Sequence, residues 1–147
     1  MSLEENKKIV RRFVEAYNNQ NLDLLDEILA PDYFDKTNQV GVEGLKQLIK
    51  MAFIAFPDYH ETIEDIVAEG DKVWILVRTD TGPHTGEFMG VAPTGKKLTT
   101  LAVDILRIVN RRIVEYQDVV DRLDFLTQLG IIEYTERGKK LFPEDDK

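Results

Sequence analysis

Two aspartates interrupt stretches that are otherwise apolar and strand-forming. Asp104 sits in Leu101-Ala102-Val103-Asp104-Ile105-Leu106, and Asp118 in Ile113-Val114-Glu115-Tyr116-Gln117-Asp118-Val119-Val120. An unpaired carboxylate at an inward strand position is costly, so each must find a partner, face solvent or serve a chemical purpose. Two carboxyl groups close together in an apolar pocket are driven apart in pKa. One keeps its proton near neutral pH while the other accepts protons, which is a general acid/base arrangement. Whether these two meet depends on hairpin register. A two-residue turn at Asn110-Arg111 sets Asp104 opposite Gln117 and sends Asp118 to the other face, whereas a three-residue loop or one bulge sets Asp104 opposite Asp118. The plainer alternative is that Asp118 faces solvent and Asp104 pairs with Arg78 or another basic neighbour.

His84, in Pro83-His84-Thr85-Gly86, is one of two histidines. Histidine suits proton transfer, although a lone one after a loop is more often a hydrogen-bonded structural residue. Asp35 follows the aromatic pair Tyr33-Phe34 and either projects into a pocket mouth or is a solvated loop residue. Trp74, Phe88, Leu106 and Tyr116 are candidates to line an apolar substrate pocket, with plain core as the alternative for each. The chain has no cysteine, its two histidines lie far apart, and it has no glycine-rich phosphate loop. We therefore expect neither metal nor other cofactor.

These residues must be positioned by three helices followed by strands. Ser2 and Glu5 have capping-box spacing, and Ile9, Val10, Phe13, Val14 and Tyr17 recur with helical period to about Asn18. Asn21 caps a second helix that Pro31 stops, and residues 32–35 then cross as a loop or short strand. A third helix is expected from Val42 to about Phe56, ahead of Pro57. From His60 the period changes to two, giving a hairpin that turns at Glu69-Gly70-Asp71 and runs to Thr79. Asp80 to Pro83 reads as a turn, His84 to Met89 as a short strand, and Gly90 to Lys96 as a loop. Leu98 to Val109 and Ile113 to Val120 form a second long hairpin, and Leu123 to Gly130 a closing helix. This order spells an α+β fold, a curved antiparallel sheet wrapped around the N-terminal helices as a cone whose open end is a pocket. Residues 1–132 are expected to form one domain and 133–147 a charged tail, partly ordered at best.

With 147 residues, 43% of them apolar, the chain can build one sizeable core. Its net charge of −8 argues against nucleic acid or an anionic membrane as partner, since both require a basic footprint. Its first residues lack the apolar core of a signal peptide, and no stretch is apolar over a membrane's width, so a cytoplasmic protein is expected.

The run His84-Thr85-Gly86-Glu87-Phe88-Met89-Gly90-Val91-Ala92-Pro93-Thr94-Gly95-Lys96 strongly resembles the SnoaL-like polyketide cyclase and ester cyclase family. The likeness continues from Asp104 through Glu115 to Asp118-Val119-Val120-Asp121, Leu123 and Gln128-Leu129-Gly130. The resemblance implies an α+β cone and, in the family's polyketide cyclases, an intramolecular aldol ring closure without metal or cofactor. There an aspartate takes the substrate's acidic proton, the pocket stabilises the enolate, and a histidine helps bind it. Laid over this chain, the family's catalytic aspartate matches Asp118. Its companion histidine falls on Asp104 and a neighbouring asparagine near Asp35, two departures, while His84 and the Pro-Thr-Gly loop are kept. An acid at 104 donates a hydrogen bond only when protonated, a role with precedent in the protonated aspartate of ketosteroid isomerase.

The leading expectation is thus an enzyme acting on a small hydrophobic carbonyl compound, with Asp118 as base, Asp104 as acid or enolate donor and His84 orienting substrate. A ligand-binding or dimerisation module is the second reading, favoured by a closed pocket or by Asp118 outside it. An epoxide-hydrolase-like enzyme is the third, and it requires Arg78 or Tyr116 within hydrogen-bond reach of the carboxylates. A homodimer through the exposed sheet face is expected in each case.

Overall fold

The computed structural model describes residues 2–142. Helix α1 (Leu3–Asn18) starts at the expected capping box, in which the Ser2 hydroxyl accepts from the Glu5 amide and the Glu5 carboxylate accepts from the Ser2 amide. Asn21 caps α2 (Leu22–Ile28). The chain leaves the helix before Pro31 and enters strand β1 (Leu29–Asp35), longer than the crossing the sequence suggested. Proline is tolerated there because β1 is an edge strand. Helix α3 (Val42–Ala55) follows, then β2 (His60–Glu69), β3 (Lys72–Pro83), β4 (Lys97–Val109), β5 (Arg112–Val120), and the short helices α4 (Arg122–Leu129) and α5 (Glu136–Leu141).

The five strands form one curved, unclosed sheet in the order β1-β5-β4-β3-β2. Every pair is antiparallel except β1 with β5, which is parallel, so the sheet is mixed where the sequence suggested an antiparallel one. Three helices cover its concave face. Val10, Phe13, Leu25, Ile28, Ile49 and Phe53 pack there against Val73, Ile75, Leu106, Ile108 and Ile113, all buried. Among the described residues, no helix is long and apolar enough to cross a membrane.

The segment after β3 differs from expectation. Asp80 to Pro83 is not a turn but the irregular end of β3, which still pairs Pro83 with Lys97. Gly82 has φ +64, a left-handed value that glycine adopts without strain, and this lets the strand bulge instead of reversing. Residues 84–89 form no strand. They are tied instead to the end of α3, where the Thr85 and Gly86 amides both donate to the Ala55 carbonyl. Only glycine fits at position 86, because a Cβ would collide with the Ile54 carbonyl. In the tail, α5 has no buried residue, and 143–147 lie outside the described residues.

Candidate functional site

Both hairpin registers weighed from the sequence occur, in succession. Asn110 and Arg111 have φ of 51° and 64°, a tight two-residue reversal, and near it Ile108 pairs with Ile113. A bulge then shifts the register, so that Arg107 pairs with Glu115 and Asp104 with Asp118. One extra residue thus brings two carboxylates to the same face.

That face lines a cavity of about 310 Å³, walled by aromatic side chains including Phe13, Tyr17, Phe56, Tyr59, Phe88 and Phe125. Asp104, Tyr116 and Asp118 open onto it together. Tyr116 Oη lies 3.0 Å from Asp104 Oδ1 and 3.2 Å from Asp118 Oδ2. A phenol has one proton to donate, so both contacts are hydrogen bonds only if one carboxyl is protonated. Asp104 is the one disposed to be. Burial raises its pKa well above the usual carboxylate range, the Glu61 and Asp118 charges raise it further, and the bond from Tyr116 opposes them. The chain of donors then runs from the Asp104 carboxyl to Tyr116 Oη and from Tyr116 O–H to the Asp118 carboxylate. Burial and the same two aspartates also raise the Tyr116 pKa, so its hydroxyl remains a donor. Asp118 Oδ1 is buried with no hydrogen-bond partner among the described residues, a free acceptor on the same carboxylate.

The Asp118 backbone is fixed from the turn that follows β1. Its amide donates to Thr37 Oγ1 at 2.8 Å, and the Thr37 hydroxyl lies 3.3 Å from the Asp118 carbonyl oxygen. Thr37 is held in turn by Asp35, whose Oδ1 accepts from the Thr37 and Asn38 amides at 2.9 Å each, and whose Oδ2 accepts from Asn38 Nδ2. Asp35 lines the cavity but is neither solvated nor free, because its oxygens build the turn that positions Asp118.

Three other expected pocket residues lie elsewhere. Trp74 is 47% exposed on the outer sheet face, since strand alternation points it away from Val73 and Ile75, which are buried. Leu106 has Asp104's phase but sits deeper, fully buried in the main core and absent from the cavity wall. His84 is fully enclosed behind the wall, its ring 4.9 Å from that of Phe56. Its Nδ1 accepts from the Thr94 amide at 3.2 Å and lies 3.0 Å from Thr94 Oγ1, so it fastens the Pro93-Thr94-Gly95 loop. Phe88 and Tyr116 do line the cavity, as expected. Arg78 is no partner for Asp104: it binds Glu64 and Asp80 on the outside of the sheet.

The sequence reading missed Glu61, Tyr59, Asn38, Thr100 and Arg122, all of which reach the cavity. Glu61 was discoverable. It shares the inward phase of Ile63, but a bulge between Ile63 and Asp65 breaks the alternation before Ile66 restores it, and this hid the pattern. Among the described residues, no three histidine, aspartate or glutamate side chains gather in a way that would hold a metal ion.

With this geometry in view, comparison with known proteins is decisive at the family level. The family model for SnoaL-like polyketide cyclase matches residues 7–129. The chain belongs to that family. Among its relatives, aklanonic acid methyl ester cyclase DauD of Streptomyces sp. (strain C5) is 29% identical over 129 residues, covering 83% of this chain and 80% of that one. Nogalonic acid methyl ester cyclase of Streptomyces nogalater is 27% identical, over 80% of this chain and 91% of that one. Among solved structures, AclR of Streptomyces galilaeus, a candidate hydroxylase, superposes with TM-score 0.80 at 31% identity, over 90% of this chain and all of that one. IdmH of Streptomyces antibioticus, a candidate polyketide cyclase, gives 0.75 at 30% identity, over 85% of this chain and 98% of that one. Cyclase-like activity is thus supported at the level of the family.

Proposed function

We propose that this protein closes a ring in a polyketide-derived carbonyl compound by an enolisation and aldol reaction carried by its own side chains. The observation that carries the reading is the Asp104–Tyr116–Asp118 trio, open to an aromatic cavity, with one aspartate oxygen left without a partner. The Asp118 carboxylate takes the acidic proton from the carbon beside a carbonyl. As Asp118 becomes neutral it holds the Tyr116 proton less strongly, so that hydroxyl and the protonated Asp104 turn to the enolate oxygen. The enolate carbon then attacks a second carbonyl of the same molecule. The aromatic walls match a flat, apolar substrate with few polar groups. AclR, structurally close yet a candidate hydroxylase, means that the fold by itself does not choose the reaction.

The test uses the substrate named for DauD, aklanonic acid methyl ester. Asp118→Asn keeps the side-chain shape and removes the base, and turnover should fall ~10²–10⁴-fold. Unchanged turnover would overturn the assignment.

The dimer is part of the same proposal. The outer face of the sheet exposes Trp74, Leu76, Leu101 and Val119 on adjacent strands, an apolar surface suited to a second copy. Sedimentation at micromolar concentration should give a dimer and, for Leu76→Glu, a monomer. A wild-type monomer would sink this part.

A further inference from the structure

Glu61 has no part in the mechanism above, yet the fold holds it in place with care. It enters the cavity from β2, while Asp118 enters from β5, with β3 and β4 between them in the curled sheet. β2 is an edge strand, and at Glu61 its free edge is covered by Asn18 of α1. The Asn18 amide oxygen accepts from the Glu61 amide at 2.8 Å, and Asn18 Nδ2 donates to the Glu61 carbonyl at 2.9 Å. At the side chain, Tyr59 Oη donates to Glu61 Oε1 at 2.8 Å. Among the described residues, no cation pairs with the carboxyl, unlike Glu64 three residues on, which binds Arg78.

An aldol closure has two reacting ends. Asp118 serves the carbon that loses its proton, and Asp104 and Tyr116 serve the enolate oxygen. The other end is a carbonyl whose π electrons move onto oxygen as the carbon–carbon bond forms, and that alkoxide needs a proton. We propose that Glu61 is the acid that supplies it, so that the cavity carries a base on one wall and an acid on the other. The step balances. The substrate C–H proton goes to Asp118, the new bond forms between the enolate carbon and the carbonyl carbon, and the oxygen takes the Glu61 proton. The protein then holds a protonated Asp118 and an ionised Glu61, and one proton moved through cavity water restores it. No oxidant, reductant or co-reactant is required.

Charge and burial agree with this placement. The titratable groups facing Glu61 are Tyr17 from α1, Tyr59 before β2, Asp104 from β4, and Tyr116 and Asp118 from β5, with Asp35 of β1 and Arg122 of α4 also on the cavity wall and the threonines Thr79 and Thr81 from β3. Burial raises the Glu61 pKa to about 7, Asp118 adds to the rise, and the bond from Tyr59 opposes it. Glu61 therefore has a proton to give near neutral pH and can be recharged there. Asp104 is less suited, because its proton already serves the enolate oxygen.

This inference rests on the enolisation reading, so the experiment separates the two. Wild type, Glu61→Gln and Asp118→Asn are incubated with aklanonic acid methyl ester in D2O, following both deuterium exchange at the acidic carbon and ring closure. The Glu61 carboxyl of the wild type is also titrated by 13C NMR without substrate. We expect titration near 7, loss of both readouts in Asp118→Asn, and, in Glu61→Gln, ring closure falling at least tenfold more than exchange. A residue that only braced Tyr59 would depress both readouts together, and that equal loss overturns the proposal. So does Glu61 titration in the ordinary carboxylate range, or closure by Glu61→Gln at the wild-type rate with an unchanged pH profile. If wild type shows no exchange, the enolisation reading fails and takes the Glu61 assignment with it. Normal exchange with an ordinary Glu61 titration removes Glu61 alone.

Discussion

The two faces of one sheet treat their carboxylates in opposite ways. Outside, Asp80 and Glu64 flank Arg78, while Asp71 and Glu115 flank Arg107, with the Arg107 Nε to Asp71 contact at 2.7 Å. The hydrogen bond from Arg107, helped by its charge, holds the Asp71 carboxyl below its usual range. Inside, Glu61, Asp104 and Asp118 share a cavity, and the hydrogen bonds to their carboxyl groups come from tyrosine hydroxyls rather than from a cation. There burial raises Glu61 and Asp104 instead. Outside, Asp71 is thereby held as an anion, whereas inside Glu61 and Asp104 are disposed to keep a proton. What separates structure from chemistry here is therefore the partner, not the residue type.

The widest separation between the faces should appear in stability against pH. A carboxyl whose pKa is raised on folding costs nothing below its unfolded value, where both states are protonated. The cost grows as pH rises toward the folded value and is constant above it. For Glu61 the window runs from the ordinary value of 4.5 to about 7. Glu61→Gln, which can still accept from Tyr59, should therefore stabilise the protein by up to about 3 kcal/mol at pH 7 and above, and by nothing near pH 4. Asp104→Asn should act in the same direction. Denaturant unfolding of each variant across pH 4 to 8 reads this out, and curves that stay parallel would mean that the inner carboxyls are solvated like the outer ones.

The elements were largely legible because each rests on local signals: capping at Ser2 and Asn21, helical period through Tyr17, and alternation through Val73, Ile75 and Val77. The site was legible only in part. Asp104 and Asp118 stand out because a charge in an apolar strand is itself a signal. Their meeting was not readable, since it depends on a bulge near Ile113 that sequence does not mark, and the sequence left both registers open. Trp74 was misplaced by weighing residue type over phase. His84 was misplaced because its partner, Thr94, lies across a loop. Glu61 was lost because strand β2 is bulged.

Thr37 tests whether hydrogen bonds alone hold the inner face. Its hydroxyl is the acceptor for the Asp118 amide, so Thr37→Val leaves a part-buried donor unpaired while nearly preserving volume. That should cost about 1–3 kcal/mol of stability. Turnover should fall roughly tenfold, as small misplacements of a catalytic group do. Thr37→Ser, which restores the acceptor, should recover most of both losses. Equal behaviour of the two variants would mean that the sheet register suffices to place Asp118.

On the outer face the corresponding change should do least. Asp71→Asn removes a well-formed partner of Arg107, yet Glu115 remains beside that guanidinium at 3.8 Å and water solvates both. Exposed pairs contribute little, and salt screens them. The melting temperature should drop slightly at low salt and match the wild type at high salt, and turnover should not change. A larger loss that persisted in high salt would mean that Arg107, on the strand that carries Asp104, braces the hairpin register across the sheet. The two faces would then be coupled through β4, and the contrast between structural and chemical carboxylates would no longer be one of separate parts.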